Sequence, residues 1–99
     1  MAVLMEFAMF PTDKGKSVSK DVSKVIQMIR DSGYPHQLTA MGTLVETQTV
    51  KQALDVVEKA AQILEVNSER LYSTIKLDIK KGAKNMLKEK VKSIEDKLS

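Results

Sequence analysis

The chain has 99 residues, room for one domain (1–99) with a single core. Hydrophobic residues make up 42% and charged residues 29% with a net charge of +3, a balance that argues against wholesale disorder. There is no cysteine, which excludes a disulfide framework, thiolate metal sites and cysteine nucleophiles and fits a reducing, cytoplasmic setting.

Residues 2–10 predict a first strand. Val3, Met5, Phe7 and Met9 point one way, while Leu4, Ala8 and Phe10 point the other with Glu6 among them. Both faces are largely apolar, so this strand belongs inside a sheet with both sides covered. Pro11 closes it, and the stretch from Thr12 to Lys16 reads as a turn. Ser17 or Ser19 can cap the helix that follows, whose Val18, Val22, Val25, Ile26 and Ile29 form an apolar stripe. Gly33 stands where a left-handed residue ends such a helix. A second strand is expected from Pro35 to Ala40. Met41-Gly42 then makes a tight connection into a third strand, Thr43 to Thr47, so the two form an antiparallel hairpin.

Thr49 and Gln52 match a capping box. The helix it opens carries Val50, Ala53, Leu54, Val57, Ala61 and Leu64 on one face. Residues 70–79 alternate cleanly as a fourth strand, and Gly82 breaks it. From Lys84 to Leu98 a third helix sets Leu87, Val91, Ile94 and Leu98 in a narrow seam. Its lysines read as a solvated face, with a phosphate or nucleic-acid site as the alternative. No apolar run reaches the length of a membrane span, and the opening segment lacks the basic region of a signal peptide.

The order βαββαβ with right-handed crossovers predicts the α+β ferredoxin-like sandwich. Its four-stranded antiparallel sheet has two helices on one face, and an extra helix follows at the C-terminus. The other face would be left as a large apolar patch. The expected cover is a second subunit, in a homodimer or a dimer of dimers, or the terminal helix.

Catalysis has little support. The one histidine, His36, reads as a surface residue, and no nucleophile elbow, P-loop, dinucleotide fingerprint or zinc motif is present. No metal site is expected. Two acids inside strands say more: Glu6 and Glu46 fall on strands that are neighbours in this topology. A buried carboxylate needs a partner, either a salt bridge or the donor pair of an aminopyrimidine-like ligand. The six methionines fill a core or line a pocket for a flat ring.

The segments Phe10-Pro11-Thr12-Asp13-Lys14-Gly15, Ser17-Val18-Ser19, Met41-Gly42-Thr43 with Glu46, Ile75-Lys76-Leu77-Asp78 and Lys90 to Glu95 resemble the small thiamine-binding (YkoF-like) proteins. The resemblance covers nearly the whole chain. It implies a ferredoxin-like fold in dimers and tetramers, and binding of thiamine or its hydroxymethylpyrimidine moiety for salvage, transport or sensing, without catalysis and without a further cofactor. It also implies that Thr43 and Glu46 line the pocket, with Glu6 and Ser17; Met41 and Gly42 share that motif, and Phe10 offers an apolar face. Where relatives commonly carry Asp-Asp-Arg, this chain has Asp78-Ile79-Lys80. Two other readings stand beside this one. A regulatory or structural ferredoxin-like oligomer would bind another small ligand, such as an amino acid. An RNA-binding module shares the element order, but the third strand lacks its aromatics, so no nucleic-acid partner is expected.

Overall fold

A computed structural model describes residues 1–13 and 19–98. The elements follow in the order β1 (Ala2–Pro11), α1 (Ser19–Ser32), β2 (His36–Leu38), β3 (Thr43–Thr47), α2 (Val50–Glu65), β4 (Leu71–Lys80) and α3 (Met86–Glu95). The four strands form one antiparallel sheet in the order β2-β3-β1-β4, the ferredoxin-like arrangement.

The two-sided apolarity of β1 places it between β3 and β4, as the alternation requires. Val3, Met5 and Phe7 turn to the helix side and are buried with Val45 of β3, Val25 and Ile29 of α1, and Ala53, Val56, Ala60 and Leu64 of α2. The register pairs Met5 with Val45 and Phe7 with Thr43, so the odd-numbered residues of both strands share this core face. The buried stripe of α2 is rotated from the predicted one. Ala53 and Leu64 are buried as expected, but Leu54 is exposed, and Val56 and Ala60 are buried where Val57 and Ala61 were expected; the small alanines let the helix axis approach the sheet closely. Its N-terminus forms the expected capping box: Gln52 N–H donates to Thr49 Oγ1 at 3.1 Å, and Thr49 N–H donates to Gln52 Oε1 at the same distance.

Two expected boundaries move. β2 is confined to three residues because Thr39, expected inside the strand, builds the turn instead. Its N–H donates to the Gly42 carbonyl at 2.9 Å, so the connection runs from Thr39 to Gly42 and is longer than a two-residue loop. α3 starts at Met86 rather than Lys84 because Asn85 adopts a left-handed φ of 58°. Near the other end of the sheet, Asp13 binds the main chain ahead of β4, accepting the Glu69 N–H at 2.7 Å.

On the sheet's second face lie Leu4, Glu6, Ala8 and Phe10 of β1 with Leu44 and Glu46 of β3. α3 meets this face through Glu46 and Asp78. Its Lys90 pairs with Asp78, while Val91, Ile94 and Leu98 remain largely exposed. No helix among the described residues is long and apolar enough to cross a membrane.

Candidate functional site

The most specific local chemistry lies where the end of β1 meets the β2–β3 turn. Thr39 organises that turn. Its hydroxyl donates to the Gly42 carbonyl at 2.8 Å and accepts the N–H groups of Met41 at 3.2 Å and Gly42 at 3.1 Å. Gly42 lies against β1 so closely that an added Cβ would stand 3.0 Å from the Phe7 carbonyl oxygen. Only a residue without a side chain fits there undisturbed.

Between this turn, β1 and α1 is a cavity of about 390 Å³. Val22, Val25 and Ile26 of α1 close it on one side, Phe7 and Met9 of β1 on another, and Leu38 to Thr43 form its rim. Among the described residues no charged side chain lines it. Thr43 supplies its polar group. The residue is only 6% exposed, but its hydroxyl makes no hydrogen bond to another described residue and keeps contact with solvent. A hydroxyl both donates and accepts, so this one is available to a ligand in an otherwise apolar wall.

Four of the seven residues expected from sequence, Phe10, Met41, Gly42 and Thr43, border this cavity. Phe10 does so from the far strand face, however. Its ring centroid lies 5.7 Å from that of its cross-strand partner Tyr72, tilted by 40°. Glu46 is not with them. It is three residues beyond Thr43 on the same strand, and strand periodicity turns it to the opposite sheet face, about 10 Å away along β3.

Glu46 is 7% exposed, and its carboxylate is engaged by the first turn of α3. Oε2 accepts the Met86 N–H at 3.0 Å and Oε1 accepts the Leu87 N–H at 2.8 Å. A helix N-terminus has free amide donors and a partial positive charge, so a carboxylate there is well placed. Asn85, at the capping position, provides no side-chain cap, and Glu46 takes over that role from forty residues upstream. A larger hollow of about 790 Å³ adjoins Glu46 at this end of the sheet, but both carboxylate oxygens already hold amides.

Glu6 shares Glu46's sheet face. It pairs with Lys76 at 3.7 Å in a largely exposed contact. Ser17 lies outside the described residues. His36 Nδ1 is 2.8 Å from the Tyr34 carbonyl, remote from the cavity. No group of three or more potential metal ligands is assembled among the described residues.

Sequence reasoning passed over Thr39, although a threonine ahead of a Met-Gly turn carries a signal, because its hydroxyl can bond amides two and three residues on. It also read Val22, Val25 and Ile26 only as core. Nothing local distinguishes a valine that fills a core from one that closes a cavity.

Comparison with known proteins supplies the remaining evidence. The family model described as "Thiamine-binding protein" matches residues 5–95. A UPF0045 protein of Mycobacterium bovis is 33% identical over 95 residues, covering 96% of this chain and 93% of that protein. A hypothetical protein of Methanocaldococcus jannaschii has a solved structure that superposes with a TM-score of 0.85 at 29% identity, covering 96% of this chain and 97% of the other. A domain of unknown function from Bacillus cereus superposes with a TM-score of 0.83 at 29% identity, over 100% of this chain and 95% of that one.

Proposed function

Since this chain belongs to the thiamine-binding protein family, we propose that it is a small-molecule binding protein whose ligand is thiamine or the hydroxymethylpyrimidine part of it, held without turnover. The observation that carries this reading is the meeting of two motif segments, Phe10 and Met41-Gly42-Thr43, around one cavity to which the Thr43 hydroxyl is accessible. A volume of about 390 Å³ is within the usual range for small-ligand pockets, roughly 300–1,000 Å³.

Chemistry assigns the orientation. A cationic thiazolium gains nothing from a wall whose described residues carry no charge, and it loses its hydration on entering. The neutral aminopyrimidine is therefore the half that enters. Its faces pack on Val25, Ile26 and Phe7, and a ring nitrogen or the exocyclic amine bonds the Thr43 hydroxyl. Met41, exposed at the rim, offers a soft cover for the ring. Thr39 holds the rim in shape beforehand, which lowers the ordering cost of binding. Glu46 and Glu6 have no part in this contact.

The reading extends to a cytoplasmic homo-oligomer. α3 leaves much of the second sheet face uncovered, with Phe10 and Tyr72 both exposed, and a second copy accounts for that cover.

Titration calorimetry with thiamine and with hydroxymethylpyrimidine tests the assignment. Both should bind with similar affinity, because the shared ring makes the contact. Saturable binding of an amino acid with no response to either compound would replace this reading with the regulatory one.

A further inference from the structure

The hollow of about 790 Å³ beside Glu46 shares no lining residue with the ligand cavity. Thr43 borders the cavity and Thr47 the hollow, a separation of about 13 Å along β3. Three connections enclose the hollow: the segment 33–35 between α1 and β2, Gln48 ahead of α2, and the segment 82–85 between β4 and α3. An adjoining hollow of about 440 Å³ shares Tyr34, Glu46 and Asn85 with it and adds Lys88.

Several donors in these walls are left without acceptors. Gln52 Oε1 accepts the N–H groups of Gln48 at 2.9 Å and Thr49 at 3.1 Å. Main-chain amides only donate, so the oxygen of this side chain must face them, and its NH2 group bonds no described residue. Lys51, Lys76 and Lys90 each stand beside an acid, whereas Lys84 and Lys88 form no ion pair among the described residues. Asn85 leaves its side chain out of the helix cap. Glu46, the acid in the wall, is 7% exposed, and its oxygens hold the Met86 and Leu87 amides. The first-turn amides of α3 are thereby taken, and a guest in the hollow would be held by side chains.

We propose that this hollow is a second ligand site, for a small molecule that bears a phosphate or diphosphate group. A phosphate ester carries about two negative charges and three strong acceptor oxygens. Lys84 and Lys88 match that charge, and the amide groups of Gln52 and Asn85 supply directional donors. A carboxylate, with its single charge, would leave one lysine unanswered. The volume exceeds what a bare phosphate fills, and Tyr34 and Pro35 offer the carried group an apolar shoulder. Both lysines belong to the segment that enters α3 and Gln52 belongs to α2, so the bound group bridges them and adds an attachment at the start of α3. The site asks nothing of the ligand cavity and stands whether or not thiamine is held there.

Pyrophosphate is the probe, titrated into the isotope-labelled protein at constant ionic strength so that general screening is held fixed. The NMR signals of the main-chain amides from Gly82 to Asn85 and of the Gln52 side-chain NH2 should shift saturably at millimolar concentration or below. Those of Met41 to Thr43 should stay in place. Lys84→Gln combined with Lys88→Gln should weaken binding about tenfold. Lys92→Gln combined with Lys97→Gln removes the same charge from residues outside the hollow and should leave the affinity unchanged. Equal loss in the two double variants overturns the proposal, because net charge alone would then attract the anion. Shifts that stay linear and spread over the surface overturn it as well. So does saturable binding that moves Met41 to Thr43 instead, which would put the phosphate in the ligand cavity.

Discussion

The Glu46 carboxylate accepts the main-chain N–H of Met86 at 3.0 Å, across forty residues of sequence. With the second bond to Leu87, this contact ties α3 to the sheet at its first turn, and the rest of the helix has little apolar attachment. Glu46→Ala should therefore destabilise the protein by about 2 kcal/mol, the scale of losing a charge-assisted helix cap. Hydrogen exchange should show loss of protection confined to the first turn of α3, with β1 unaffected. Thiamine affinity should be unchanged; a large loss would return Glu46 to the ligand site.

Thr43→Val keeps the shape of the cavity wall and removes its hydroxyl. Hydroxymethylpyrimidine binding should weaken by about 1 kcal/mol, roughly fivefold in Kd. Denaturant unfolding should show no loss of stability, because no group among the described residues bonds that hydroxyl. Unaltered affinity in calorimetry would place the ligand elsewhere.

Gly42→Ala brings a methyl group to within 3.0 Å of a main-chain oxygen on β1. That oxygen cannot step aside as a flexible side chain would, so the turn must shift. A cost of about 1–3 kcal/mol is expected, together with weaker ligand binding. Urea unfolding and calorimetry on the same protein separate the two effects.

Thr49→Ala removes one half of the α2 capping box and should cost about 1 kcal/mol, read from the denaturation midpoint. This site is remote from the cavity at the Thr39 turn. Hydroxymethylpyrimidine affinity should stay at the wild-type value.

The element order could be read from sequence because the apolar residues change period cleanly between strands and helices. β1 showed its central place through two apolar faces, and the Thr49–Gln52 box announced α2. The end of β2 could not be read in the same way, because Thr39 suits a strand by propensity and becomes a turn residue only through bonds to Met41 and Gly42. The anchoring of α3 depends on a carboxylate in another element, and no local window contains both partners. Thr43 and Glu46 are a different matter. Their separation of three residues already assigns them to opposite faces of any strand, and grouping them by motif overrode that parity.

The three-residue β2 leaves the sheet with one very short rim, His36 to Leu38. So short a rim gives a further chain few main-chain bonds to add to, and extension of the sheet from that side is disfavoured.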